Sequence, residues 1–393
     1  MDARPSRTLP WRRARPAALL TPYVLSVVSL SIAVLAVVGA ESLARWYAPD
    51  YLVRTRGFHV FSETYGWAPR PGTSLVIDGK RVSFNAAGYR GRELSLPKSR
   101  DRTRVVVLGD SIAFGLDVSD DEAFTHLLDA RDNGIEAANL AVQGYGPDQE
   151  LLVLMNQGLH LDPDVVVLAS CLGNDLAEAM LPVSLYDGRT PKPRFQLVDD
   201  HLVLDGSNLR QSAWRRGQQW LSDYSHLFNR VLALDPGPGE SPAAPWRDRK
   251  REGLQDKEYA LRLNLAIVRR MDAACRERGI TFILAAFPHE LSYESKPWLA
   301  ERFLESAQAE GITVVDMAAR FAALGQSFAA ISLDGVGHLR PVGHVIASQV
   351  LESEIAAHAH TPTATSANRP PDGVPEINDR TVPRSPRSGA AAR

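Results

Sequence analysis

Arg104-Val-Val-Val-Leu-Gly-Asp-Ser111-Ile-Ala-Phe-Gly115 decides the reading of this chain. A short apolar run ended by glycine predicts a strand buried on both faces. Ser111 then stands at the carboxyl end of that strand, ahead of a glycine-containing turn. Ligands of open α/β sheets gather at the carboxyl ends of strands, so the serine is placed to act as a nucleophile. Gly-Asp-Ser is by itself also an ordinary turn. Three further segments bear on the question: Asn139-Leu-Ala-Val-Gln-Gly144, Gly173-Asn174-Asp175 and Asp334-Gly-Val-Gly-His338.

Outward from Ser111, strand-like and helix-like stretches alternate. Strands are predicted at Arg104–Leu108, Ile135–Ala141, Asp164–Ser170, Thr281–Ala286 and Thr313–Asp316. Helices are predicted between them at Asp121–Arg131, Pro147–Leu159, Asp256–Arg278, Pro297–Ala309 and Pro341–Ala357, with Pro147 and Pro341 suited to first-turn positions. This alternation specifies an α/β fold, a three-layer sandwich with a central parallel sheet. The interval 182–252 interrupts it with a hairpin-like Phe195–Leu204 and a basic amphipathic stretch around Trp214-Arg-Arg216, and reads as an insertion, a cap over the site or a surface ornament.

The amino-terminal region has a different character. Ala17 to Ala40 carries no charge and is dominated by Leu, Val, Ala and Ile. As a helix it would span about 36 Å, enough for a hydrocarbon core of about 30 Å. Arg4, Arg7, Arg12, Arg13 and Arg15 precede it, whereas Glu41 and Arg45 balance each other beyond it. The positive-inside rule keeps the basic end in the cytoplasm and sends the remainder across. The alternative is a secreted protein cleaved near Ala40, where Val38-Gly-Ala40 resembles a cleavage site; the apolar stretch is longer than the usual signal core. The expected organisation is a cytoplasmic 1–16, a transmembrane signal anchor at 17–40, a lead-in at 41–103, a domain at 104–358 and a tail at 359–393. The tail lacks aromatic residues from His360 onward and is rich in Pro, Ala, Ser and Arg, a composition that stays disordered.

A net charge of −2 gives no reason to invoke nucleic acid. Two cysteines, Cys171 and Cys275, make no disulfide framework and read as buried thiols. His344, six residues after His338, would need further ligands to hold a metal, and no cofactor or metal is expected.

Acyl transfer by serine needs a nucleophile, a base, an orienting acid and donors for an oxyanion. Ser111 supplies the first, His338 is the best base, and Asp334 is the nearby carboxylate to hold its tautomer. Asn174 ends the third strand and could aim its amide at the site. Gly144 follows the second strand, where a missing side chain lets backbone N–H approach a ligand, and the Ser111 N–H would be a third donor. Asp110 and Asp175 read as structural turn carboxylates.

These blocks together resemble the SGNH (GDSL-type) hydrolases, more closely their bacterial branch with an N-terminal membrane segment. The similar segments are Val107–Gly115, Asn139-Leu-Ala-Val-Gln-Gly-Tyr-Gly146, Gly173–Asp175 and Asp334…His338-Leu-Arg-Pro-Val-Gly-His344, preceded by Asn85-Ala-Ala-Gly-Tyr-Arg-Gly91. The resemblance covers roughly Phe84 to Leu351. It implies an SGNH/flavodoxin-like sandwich with Ser111, Asp334 and His338 as triad and Ser111, Gly144 and Asn174 as oxyanion hole. The family's acid–base spacing is Asp-x-x-His, whereas this chain has one residue more. The expected activity is hydrolysis of a small-molecule or carbohydrate ester through an acyl-serine, outside the cytoplasmic membrane. The alternatives are an O-acyltransferase using the same triad on an envelope polysaccharide and a catalytically inactive carbohydrate-binding module.

Overall fold

The computed structural model describes residues 17–47, 59–77, 79–131, 133–186, 188, 190–206, 209–228, 244–288, 297–333 and 337–358. The basic N-terminus, the tail and Asp334 therefore lie outside the described residues. The chain divides into two units, residues 1–57 with 213–237 and residues 58–212 with 238–393.

The first unit holds helix α1 (Ala17–Tyr47). Its stretch Pro22–Tyr47 has a mean hydropathy of 2.4 in its most apolar window, none of it buried within the protein. The helix runs past residue 40 because good helix formers follow and Glu41 pairs with Arg45 one turn on, at 2.8 Å.

The second unit opens with two hairpins, β1 (His59–Ser62) with β2 (Gly66–Pro69) and β3 (Ser74–Ile77) with β4 (Lys80–Ser83). Then come β5 (Thr103–Gly109), α2 (Ser111–Phe114), α3 (Phe124–Ala130), β6 (Ile135–Asn139), α4 (Pro147–Asn156), β7 (Val165–Cys171) and α5 (Asp175–Glu178). The insertion carries the hairpin β8 (Arg194–Val198) with β9 (His201–Asp205), then α6 (Ala213–Tyr224), which belongs to the first unit, and α7 (Ala244–Gly253). The chain continues through α8 (Lys257–Arg276), β10 (Thr281–Phe287), α9 (Trp298–Ala309) and β11 (Thr313–Asp316). It closes with α10 (Met317–Ala323), α11 (Phe328–Ile331) and α12 (Pro341–His358).

The five core strands form one parallel sheet in the order β11-β10-β7-β5-β6. In chain order this is 2-1-3-4-5, the flavodoxin-like doubly wound arrangement, whose switch point lies between its first and third strands. Here those strands are β5 and β7, paired from Val105↔Val165 to Gly109↔Ala169.

The predicted three layers are present. Val106, Leu108, Val166, Leu168 and Leu284 face a core shared with Leu151 and Leu154 of α4, Val268 and Met271 of α8 and Phe303 of α9. Their neighbours Val105, Val107, Val165, Val167 and Ile283 face the opposite core with Phe124 of α3, Phe321 of α10 and Leu351 of α12. Strict alternation into two cores is why the strands are apolar throughout, and each fully buried Val or Leu contributes about 1.5–3 kcal/mol. Cys171 and Cys275 are buried free thiols in these layers.

Several boundaries differ from expectation for local reasons. β6 ends at Asn139 rather than Ala141, because Asn139 Oδ1 takes the Ala141 N–H at 3.1 Å and turns the chain. The helix predicted from Asp121 divides into a 3-10 turn, Asp120–Glu122, and α3. The helix predicted from Pro147 ends at Asn156 and passes into a 3-10 turn, Gly158–Leu161.

Candidate active site

Gly109 ends β5 with φ +152°, and a Cβ there would stand 2.7 Å from the Ala169 carbonyl of β7. Only glycine lets the two strands close up at the switch point while the chain swings into α2. Asp110 caps that helix, accepting the Ile112 N–H at 2.9 Å. Ser111 opens the helix, so its own N–H has no acceptor within it.

Two buried side chains hold α2 from outside. Arg90 of the lead-in donates to the carbonyls of Phe114 (2.6 Å), Gly115 (2.5 Å) and Val118 (2.8 Å), and to Asp120 at 3.0 Å. Asn139, at the end of β6, donates to the Ala113 carbonyl and to Thr125 Oγ1, both at 2.9 Å. The Ser111 turn is thus fixed by the two sequence blocks that flank it in the resemblance.

His338 sits in the loop between α11 and α12. Leu333 N–H donates to its carbonyl at 2.7 Å, and Arg340 Nε donates to the Ser332 carbonyl at 2.6 Å, closing the loop. The imidazole Nε2 lies 2.9 Å from Ser111 Oγ, within the reach a general base needs. On the other ring nitrogen's side, Asp117 Oδ2 is 3.9 Å from Nδ1, longer than a hydrogen bond. Asp117 adopts a left-handed φ of +65° just beyond α2, which brings its carboxylate near a residue far away in sequence.

Asn174 follows β7 across the switch point. Its Nδ2 donates to Asp110 Oδ2 and to Tyr186 Oη, both at 3.1 Å. The Tyr186 ring also covers Gly144, where a Cβ would lie 3.4 Å from it. Gly144 has φ +75°, and its loop is pinned by Trp67 Nε1 donating to the Gln143 carbonyl at 3.0 Å. Ser111 and His338 therefore meet directly, while Asn174 and Gly144 are joined through Tyr186.

Burial raises the carboxyls of Asp110, Glu150, Asp175 and Glu178 above the usual range. For the last three, neighbouring carboxylates add to the rise; for Asp110 the Ile112 N–H, the Asn174 amide and His338 oppose it. Asp175 accepts the Ser170 hydroxyl at 2.7 Å and, like Asp110, serves the framework. His344 is equally structural. It stacks on Phe124 at 5.9 Å and takes the Phe124 N–H on Nδ1 at 3.3 Å, and burial pushes its imidazole down to about 3.

Tyr186, Asp117, Arg90 and Trp67 were not singled out as site residues from sequence. Arg90 lay inside the quoted lead-in block and could have been found there; Tyr186 lies in the insertion, where no pattern pointed to it. Side chains hold that segment in place. Buried Lys192 pairs with buried Asp148, and Arg249 of α7 grips the carbonyls of Leu185 and Tyr186.

No protein-family model matches the sequence, and no curated protein matches it. Among solved structures, the chain is similar to a GDSL-like lipase from Bacteroides thetaiotaomicron, with 15% identity and a TM-score of 0.35 over 67% of this chain and 92% of that one. It is similar to a catalytic mutant of an acetylxylan esterase from Geobacillus stearothermophilus, with 14% identity and a TM-score of 0.35 over 64% and 94%. A member of the lipolytic G-D-S-L family from Veillonella parvula gives 13% identity and a TM-score of 0.33 over 63% and 94%.

Proposed function

We propose that this chain is a serine-dependent carboxylic ester hydrolase of the SGNH type, working through an acyl-serine and held by α1 on the outer side of the cytoplasmic membrane. The observation that carries the activity is the 2.9 Å approach of His338 Nε2 to Ser111 Oγ at the switch point of the sheet. Ser111 attacks the ester carbonyl as His338 takes its proton. The N–H groups of Ser111 and Gly144 and the Asn174 amide receive the developing oxyanion, and His338 then protonates the leaving alcohol. Water activated by the same imidazole releases the acid. Asp334 is the proposed orienting acid for Nδ1.

The outward placement is supported by the arginine-rich flank before α1. The activity is tested with p-nitrophenyl esters of rising chain length. A burst of p-nitrophenol followed by slower turnover is the expected signature of an acyl-serine. A sugar acceptor added to the assay should leave acid release unchanged; diversion of the acyl group to the sugar would make the enzyme a transferase. External protease on spheroplasts should degrade the catalytic domain of the membrane-bound protein. Protection would reverse the topology, and a soluble product starting near Glu41 would replace the anchor with a cleaved signal.

A further inference from the structure

Helix α6 shares a unit with α1 and has a face that water does not suit. At about 100° per residue, Trp214, Gly217, Trp220, Leu221 and Tyr224 fall on one side of it. Arg215 and Arg216 fall on the other. The apolar side is open: Trp214 is 75% exposed, Trp220 61%, Tyr224 53% and Leu221 37%. A helix of a soluble domain buries such a stripe against its core. Two tryptophans and a tyrosine on one face, opposite arginines, match instead a helix lying in a bilayer interface.

Its attachment identifies that surface. The carboxylate of Glu41, near the end of α1, accepts the N–H groups of His226 (3.0 Å) and Leu227 (2.9 Å) and the Ser225 hydroxyl (2.8 Å). Arg45 Nη2 donates to the Tyr224 carbonyl at 2.6 Å. The carboxyl end of α6 is thereby tied to the last turns of the apolar helix. There Trp46 and Tyr47, 79% and 76% exposed, supply the rings expected where a span leaves the hydrocarbon.

We propose that α6 is an interfacial helix, lying with its Trp214–Trp220–Leu221 face in the headgroup layer of the bilayer that α1 crosses, and fixed there by Glu41. This rests on reading α1 as an uncleaved anchor. Single nitroxide labels on the full chain in phosphatidylcholine–phosphatidylglycerol vesicles test both readings separately, with Val34→Cys reporting the span, Trp220→Cys and Leu221→Cys the apolar face, and Arg215→Cys the polar face. Collision with oxygen is compared with collision with a water-soluble nickel chelate. Labels at 34, 220 and 221 should favour oxygen several-fold, while the label at 215 favours nickel. Oxygen preference at 34 with nickel preference at both 220 and 221 would overturn the interfacial helix and leave the anchor standing. Nickel preference at 34 would remove the anchor and this proposal with it. Spin–spin broadening at 220 or 221 would instead assign the face to a second copy of the chain, and equally overturn it.

Discussion

Asp110 Oδ2 accepts a hydrogen bond from Asn174 Nδ2 at 3.1 Å, so the carboxyl group beside Ser111 aims the amide proposed for the oxyanion. The same carboxyl, through Oδ1, caps α2. In Asp110→Asn the oxygen can serve only one of these donors, and the Asn174 amide would face a second amide. Turnover should fall by about 10²-fold, as when an oxyanion donor is lost, with little change in KM. Steady-state kinetics beside Asn174→Ala check this; a loss confined to KM would show that the pair shapes substrate binding instead.

Tyr186 Oη takes the Asn174 amide at 3.1 Å, and its ring lies over Gly144. The phenol therefore competes with a substrate carbonyl for the same donor. Removing one such bond is worth about 0.5–1.5 kcal/mol, so Tyr186→Phe should lower KM roughly 2- to 10-fold and leave kcat nearly unchanged. A fall in kcat of two orders of magnitude would make Tyr186 part of the catalytic machinery.

The orienting acid is decided by a pair of variants. Asp334→Asn should approach a 10⁴-fold loss, by analogy with triads whose acid is neutralised. Asp117→Asn, whose carboxylate stands 3.9 Å from Nδ1, should lose less than tenfold. The reverse order would transfer the role to Asp117. Two mild losses beside a severe His338→Ala would define a Ser–His dyad.

His344 makes stability depend on pH. Its imidazole is held down at about 3 in the fold, against 6.5 when unfolded. Between those values the unfolded chain binds a proton that the native chain refuses, so stability falls as pH drops from about 6.5 towards 3. The slope is about 1.4 kcal/mol per pH unit. The raised buried carboxyls work in the other direction, losing stability as pH rises, so the comparison must be wild type minus variant. Denaturant midpoints for wild type and His344→Gln should diverge least near pH 4 and most above pH 6.5. Parallel curves would contradict a neutral buried His344.

The sheet was legible because Val105, Val106 and Val107 are β-branched and unbroken, a pattern that only a strand buried on both faces needs. Asn174 and His338 were legible as residues standing at strand or helix ends within compact motifs. The β1–β2 hairpin was not, since four-residue strands such as His59–Ser62 carry too little periodicity to show. Nor was Tyr186, whose place beside Asn174 depends on how Lys192 and Arg249 fasten the insertion, contacts between residues distant in sequence. The continuation of α1 to Tyr47 was missed because hydropathy marks where lipid ends, not where helical hydrogen bonding ends.

Ser111 is the proposed nucleophile, and labelling by a fluorophosphonate tests that role most directly. Intact-mass and peptide analysis should find one adduct per chain, on the peptide holding Ser111. The adduct should be absent from a folded Ser111→Ala protein whose esterase activity has fallen by at least about three orders of magnitude. An adduct on another serine, or near-normal hydrolysis by Ser111→Ala, would contradict the mechanism.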